Sequence, residues 1–267
     1  SISKSTFLST IHFNPDEEIK VLIEKEVSIA FPAFPAVMVA LSNHNKFTPD
    51  NLSKLRIINN VAPIETLRTF QNKVPQASQV SAYGLTEVGG VTSFGSPDDS
   101  LEHRLTTCGK PWPEVEIRIL DPETNQVLSN EEKGLIEIRG PHVFSGYLND
   151  KEATKNALSD DGWFSTGDVG SLTNDGYIRY HGRIKDMLKV GGENVAALEI
   201  EAYFDSHEKV LISQVIGIED DHLGEVPAVF IEKKPGVKIS KDELVDFCRG
   251  QISNFKIPRY IVFVNEW

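Results

Sequence analysis

Gln79-Val80-Ser81-Ala82-Tyr83-Gly84-Leu85-Thr86-Glu87 reads as a strand that runs into a glycine turn and then a helix start. In open α/β sheets ligands bind beyond the carboxyl ends of strands, so this junction bears on both fold and site. A ring at Tyr83 can stack on a purine, Gly84 lets backbone approach, and the Thr86 hydroxyl can donate to a phosphate oxygen. A carboxylate at Glu87 offers the hard oxygen that Mg2+ requires. The same residues also make an ordinary strand, turn and capped helix, and alone they leave both readings open.

Upstream, helix and strand alternate. Pro15-Asp16-Glu17-Glu18 opens a helix with Ile19, Leu22 and Ile23 on one face. Strand-like runs at 27–31 and 55–58 are separated by helices after Ala33 and after Pro63, a residue suited to a first helical position. Residues 1–105 are therefore expected to be part of a mostly parallel α/β subdomain. Downstream the period changes to two. Val115, Ile117 and Ile119 alternate with Glu116 and Arg118, and Ile136 and Ile138 repeat the pattern within 134–140. A further short strand at 177–180 and turns such as Asn174-Asp175-Gly176 complete a β-rich, barrel-like subdomain over 106–184. From Ile184 a hairpin leads into a helix near 198–204, strands at 211–218 and 226–232, and a last strand at 259–264. Ser240-Lys241-Asp242-Glu243 is a capping box for another helix. Residues 185–267 are expected to form a small C-terminal α+β domain, so the fold class is α/β with α+β.

Three more segments carry chemistry. In Gly162-Trp163-Phe164-Ser165-Thr166-Gly167-Asp168, a carboxylate held in a tight turn can accept both hydroxyls of a ribose; the plainer alternative is an Asx turn. In Gly182-Arg183-Ile184-Lys185-Asp186-Met187-Leu188-Lys189-Val190-Gly191-Gly192-Glu193-Asn194, three cations stand near a double glycine at a domain junction. That suits a hinge with an anion-contacting loop, or a polar linker with Asp186 and Lys189 paired and a Gly191-Gly192 hairpin turn. Asn254-Phe255-Lys256-Ile257-Pro258-Arg259-Tyr260 says only loop, then strand.

Composition excludes several classes. Lys and Arg total 27 against 39 Asp and Glu, a net charge of −12, which repels nucleic acid and anionic lipid. The apolar stretch from Ala30 to Leu41 is too short to span a bilayer and carries Pro32 and Pro35. The seven histidines lack metal-ligand spacing, and Cys108 and Cys248 stand alone. A metalloenzyme or a thiol hydrolase is not expected, and reduced thiols fit a cytoplasmic protein.

The four segments, in this order, resemble the signature motifs of the adenylate-forming family. That family includes acyl-CoA synthetases, aryl-CoA ligases, firefly-type luciferases and peptide-synthetase adenylation domains. Residues 134–140 followed by Gly146-Tyr147 match another of its motifs, and the resemblance covers essentially the whole chain. The tail is most similar to fatty and medium-chain acyl-CoA synthetases, through Gly191-Gly192-Glu193-Asn194-Val195 and Asp220-Asp221-His222-Leu223-Gly224-Glu225. The resemblance implies activation of a carboxylic acid with ATP, then transfer to coenzyme A with release of AMP and pyrophosphate. It implies that Tyr83 stacks on adenine with Gly84 beside it, Thr86 contacts the α-phosphate, and Glu87 ligates Mg2+. Asp168 would bind the ribose hydroxyls with Arg183 next to it, and Lys185 would be the hinge. Lys189 and the Gly191-Gly192 loop would lie at the site during thioester formation, on the CoA side.

The departures from the pattern are specific. No glycine precedes Gly84, so the family's glycine-rich phosphate loop is not in this chain, and its last catalytic lysine is expected just after Trp267. Asn60-Val61-Ala62-Pro63 stands where Gly-Gly-Ala-Pro is usual. With Ser1 in place of an initiator methionine, the expectation is a C-terminal half cut at both ends. Alone it is expected to make no acyl-adenylate, and ATP–pyrophosphate exchange by residues 1–267 checks this. The alternatives are another adenylate-forming enzyme, peptide-synthetase or luciferase-like, and a non-catalytic nucleotide-binding fragment.

Overall fold

In the computed structural model, which describes residues 5–33, 35–62 and 64–265, the first helix begins as its sequence requires. In α1 (Pro15–Glu24), Asn14 Oδ1 accepts the N–H groups of Asp16 and Glu17, and Pro15 takes the first turn. β1 (Ile29–Ala33), α2 (Pro35–Asn43), β2 (Ile57–Asn60), α3 (Ile64–Lys73) and β3 (Ser78–Val80) follow. The three strands pair in parallel in the order β1-β2-β3, as the alternation of helix and strand predicts. Ile19, Met38, Leu41, Leu55, Ile58 and Phe70 pack as the core. These elements belong to one compact unit, residues 1–82 with 96–105. Pro63, expected at the first helical position, lies outside the described residues, as do Ser1 and Trp267.

The second unit comprises residues 83–95 and 106–267. The single strand expected at 79–83 is two, because the pairing stops at Ser81. β4 (Ala82–Tyr83) joins a different sheet with β5 (Ser93–Phe94) and, beyond α4 (Leu101–Thr106), β6 (Lys110–Pro111). β7 (Glu116–Leu120), β8 (Gly134–Arg139) and, after α5 (Lys151–Ala157), β9 (Phe164–Leu172) and β10 (Ile178–Arg183) form an antiparallel sheet ordered β10-β9-β8-β7. Ile119, Ile136 and Ile138 fill its inner face. On the other face Glu116 pairs with Arg139 and Arg118 with Glu137, and the Arg118 and Arg139 guanidiniums lie 4.2 and 4.6 Å from the Trp163 ring centroid. The barrel-like expectation is corrected: among the described residues this sheet is open, and its end strands β7 and β10 do not meet. Roughly eight strands enclose an interior just wide enough for side chains, and four cannot.

The rest of this unit is a five-stranded sheet with two helices. It contains β11 (Met187–Val190), β12 (Glu193–Ala196), α6 (Ala197–Asp205), β13 (Val210–Asp220), β14 (Gly224–Lys233), α7 (Lys241–Cys248) and β15 (Tyr260–Val264). Val195, Ile200, Phe204, Val229, Ile231 and Leu244 are its core. Ser240 caps α7 by accepting the Glu243 N–H at 3.1 Å, but the Glu243 carboxylate goes to Lys209 Nζ at 2.6 Å. The expected capping box is thus half made, because a cation outbids the cap's own N–H.

β13 ends the sheet, and α6 seals its outer side. Asp205 accepts the Ser213 N–H at 2.7 Å and Glu201 the Val215 N–H at 2.8 Å, which covers this part of the sheet edge against a further strand. Burial pushes the Asp205 carboxyl from 3.8 up to about 6, although the Ser213 hydroxyl and N–H pull it back. Since the folded value lies above the ordinary one, this group's contribution to stability is present below about pH 4 and lost as pH rises through 6. Asp205→Asn is expected to remove a fall of up to about 3 kcal/mol between those limits, at ~1.4 kcal/mol per pH unit. Urea unfolding of both proteins at acid and neutral pH measures it, and equal pH dependence contradicts it.

Candidate nucleotide site

Asp168 owes its place to two irregularities in the antiparallel sheet. Gly134 and Leu135 pair with Gly170 and Val169, but Glu137 and Ile138 pair with Ser165 and Phe164, so Thr166, Gly167 and Asp168 all face Ile136. Gly167 takes φ +72°, and the Thr166 hydroxyl donates to the Ile136 carbonyl at 2.8 Å while accepting the Asp168 N–H at 3.0 Å. The tight turn expected around Asp168 is therefore a bulge inside β9. The Asx-turn alternative also falls, because the carboxylate bonds other side chains.

The second bulge is in β10. Tyr180 pairs with Gly170, but Gly182 and Arg183 pair with Val169 and Asp168, which leaves His181 as the extra residue. Regular pairing would set Gly182 against Asp168. The bulge sets Arg183 there instead, on the same sheet face as Tyr180. Burial lowers the His181 ring to about 4, helped by Lys133 and Arg179, so the bulged residue is neutral and lies 3.1 Å from Ser171 Oγ.

Around the Asp168 carboxylate, 5% exposed, the pieces converge. Tyr83 Oη donates to its Oδ2 at 2.7 Å, and Arg183 Nε donates to its Oδ1 at 3.0 Å. Burial pushes the Asp168 carboxyl up, while the Tyr83 hydroxyl and the Arg183 charge pull it down and Glu87 adds to the rise. Burial and the Asp168 charge raise the Tyr83 phenol, which keeps it a donor. Asp168 in turn raises Arg183. The Tyr180 ring lies 5.8 Å from that of Tyr83, and burial raises its phenol to about 12.

Beyond Tyr83 the backbone doubles back. A Cβ on Gly84 would stand 2.1 Å from the Gly90 carbonyl oxygen and 2.6 Å from Val91 Cα, so this position admits only glycine. Gly84→Ala is expected to lower stability by about 1–3 kcal/mol, the usual cost of overpacking. Thermal unfolding tests this, and an unchanged midpoint would contradict it. Thr86 and Glu87 sit in a 3-10 turn, Thr86–Val88, with no side-chain cap in place of the expected capped helix. Thr86 is exposed, and Glu87, half-buried, accepts the Tyr147 hydroxyl at 2.9 Å.

The remaining candidates stand elsewhere. Lys185 occupies an exposed 3-10 turn, Ile184–Asp186, and lines a cleft of about 430 Å3 together with Arg183, Glu201, Gln214 and Glu225. Lys189 lies exposed on β11, its N–H bonded to Glu225. Among the described residues it makes no ion pair with Asp186, contrary to the linker reading. Gly191-Gly192, at φ +61° and +90°, does form the two-residue hairpin turn, joining β11 to β12. The structure thus gathers Tyr83, Glu87, Asp168 and Arg183, and sets Lys185, Lys189 and the glycine pair along the chain that follows. Sequence reasoning gave no role to Tyr147, Tyr180 or Thr166; Tyr147 had a signal, since it closes the Gly146-Tyr147 motif. In the first unit Asn60 is fully buried, and among the described residues neither of its side-chain amide atoms has a hydrogen-bond partner.

Comparison with known proteins matches residues 5–148 to the AMP-binding enzyme family and residues 199–267 to the AMP-binding enzyme C-terminal domain. The mitochondrial medium-chain acyl-CoA ligase ACSF2 of Macaca fascicularis is 34% identical over 258 residues, which cover 96% of this chain and 42% of that protein. ATP-bound MatB from Rhodopseudomonas palustris superposes with a TM-score of 0.84 at 30% identity, over 95% of this chain and 50% of that one. The o-succinylbenzoate CoA synthetase MenE from Bacillus subtilis, in complex with the acyl-adenylate intermediate OSB-AMP, gives 0.81 at 28% identity, over 95% and 51%. The chain therefore spans about half the length of the relatives it matches.

Proposed function

Because the chain belongs to the AMP-binding enzyme family, we propose that it supplies the nucleotide-binding and hinge portions of an acyl-CoA synthetase acting on a fatty acid. In the first half-reaction a carboxylate oxygen bonds to the α-phosphorus of ATP and the bond to pyrophosphate breaks. In the second, the CoA sulfur bonds to the acyl carbon and the bond to AMP breaks.

The observation that carries this reading is the Asp168 carboxylate with Tyr83 on one oxygen and Arg183 on the other. A carboxylate has about four lone-pair sites, so two remain for the vicinal hydroxyls of a ribose. Base and ribose adjoin in a nucleoside. A ring that stacks on adenine must therefore stand beside the group that holds the sugar, and the Tyr83–Asp168 bond meets that demand. Thr86, exposed one turn further, is in reach of solvent to donate to the α-phosphate. Glu87 suits Mg2+, which binds through one or two carboxylates plus substrate phosphates, and bound there the ion would neutralise phosphate charge. Among the described residues no cluster of three or more His, Cys, Asp or Glu is present.

Lys185 is assigned as the hinge of residues 185–267, carrying Lys189 and Gly191-Gly192 to the site for the thioester step. No helix among the described residues is long and apolar enough to cross a membrane. The test is ATP–pyrophosphate exchange by the whole protein over a series of carboxylic acids, followed by mass detection of acyl-CoA. Acid-dependent exchange with CoA-dependent thioester formation is expected. Exchange without thioester would replace the CoA acceptor by another, and no acid-dependent exchange would remove the reading.

A further inference from the structure

Glu87 is held at both its backbone and its side chain by a segment 60 residues further along the chain. Tyr147 Oη donates to Glu87 Oε1 at 2.9 Å, and the Phe144 N–H donates to the Glu87 carbonyl oxygen at 2.8 Å. That segment is itself fixed. Gly146 has φ +138°, and a Cβ on it would stand 2.6 Å from Thr154 Cγ2. The Tyr147 N–H donates to Thr154 Oγ1 at 2.9 Å, and that hydroxyl donates to the Asp150 carbonyl at 2.7 Å. The Phe144 ring packs edge-on against Tyr147 at 4.8 Å and Phe164 at 5.3 Å, anchoring the segment to the core of the sheet. Among the described residues the second Glu87 oxygen, Oε2, has no hydrogen-bond partner.

We propose that Tyr147 is a positioning residue: its hydroxyl occupies one oxygen of Glu87 and aims the other at a divalent cation carried by the nucleotide. The inference rests on the metal role proposed for Glu87. Mg2+ demands near-ideal octahedral geometry at short distances, so a carboxylate of fixed orientation binds it better than one that must be ordered on binding. Groups that orient a metal ligand typically change metal affinity by tenfold to a hundredfold. The competing account, a surface ring that only packs on Phe144, needs no hydroxyl.

Tyr147→Phe keeps the ring and removes the hydroxyl. The whole protein, its variants and a non-cleavable α,β-methylene analogue of ATP separate the accounts. Mn2+ binding in the presence of the analogue is followed by electron paramagnetic resonance, and AMP binding without metal by calorimetry. Tyr147→Phe is expected to weaken Mn2+ binding about tenfold with metal-free AMP affinity unchanged. Glu87→Gln should weaken Mn2+ binding at least as much, and the double variant no further than Glu87→Gln alone. Wild-type Mn2+ affinity in Tyr147→Phe, with a loss in Glu87→Gln, would overturn the positioning role and leave the metal role standing. Wild-type affinity in Glu87→Gln would remove both. An equal loss of Mn2+ and metal-free AMP binding in Tyr147→Phe would show the hydroxyl to be structural and overturn the inference.

Discussion

Asp168→Asn in the whole protein is expected to lower kcat/KM for ATP by about a hundredfold or more while the chain stays folded. The carboxylate already accepts from the Tyr83 hydroxyl and from the Arg183 Nε–H, and of these two partners only the guanidinium cannot accept in return. An asparagine can keep its carbonyl oxygen on Arg183 and turn its NH2 group to the Tyr83 oxygen, which then accepts, but it offers one acceptor oxygen where the carboxylate has two, and no negative charge. The ribose hydroxyls then lose the charged acceptor. Hydrogen bonds to charged groups contribute about 1.5–3 kcal/mol each, so losing two gives the expected loss. The fold should persist, since Thr166 and Gly167 hold the bulge through main-chain and hydroxyl contacts that the substitution does not touch. Steady-state kinetics with circular dichroism as the control measures this, and unchanged ATP kinetics in a folded variant would refute the ribose role.

Lys185→Pro is expected to separate the two half-reactions. Lys185 lies within a 3-10 turn, where φ runs from about −50 to −70°, and proline fixes φ near −65°. The ring also drives Ile184 away from helical ψ, so neither residue of the joint keeps its freedom. A hinge that must change φ and ψ between states is thereby held in one of them. Adenylate formation or thioester formation should then fail by roughly a hundredfold relative to the other, the scale on which mispositioned reactants lose rate. Lys185→Ala, which leaves the backbone free, should be mild. Single-turnover assays, one of pyrophosphate release and one of CoA attack on preformed adenylate, read the two steps. Equal losses in both would show an ordinary linker.

What could be read in the sequence and what could not divide along a physical line. Local periodicity and capping residues announced α1, the parallel β1-β2-β3 sheet, the Gly191-Gly192 hairpin and the strand alternation of β7 and β8. Each of these is decided within a few residues. The residues Tyr83, Glu87, Asp168 and Arg183 were also legible, as motifs, but their geometry was not. Whether Arg183 or Gly182 opposes Asp168 depends on a bulge at His181, and nothing in the alternation of β10 marks it. Gly167 could have signalled the matching bulge in β9, since a glycine inside a strand often marks one. The Glu87–Tyr147 bond joins positions whose nearness is set by tertiary packing, so no spacing rule could foresee it. The barrel expectation failed for a related reason: alternation reports which face of a strand is buried, not how many strands share the sheet.

The most direct measurement of the central claim, that this chain belongs to a machine that joins a carboxylate to AMP, follows an oxygen atom. The whole protein is incubated with ATP, Mg2+, CoA and a fatty acid labelled with 18O in both carboxyl oxygens, and the AMP is weighed by mass spectrometry. If the carboxylate attacks the α-phosphorus and the thiol then displaces AMP at the acyl carbon, one labelled oxygen stays with the phosphate, and AMP gains a single 18O alongside acyl-CoA. Unlabelled AMP, or ADP as the nucleotide product, would contradict the account.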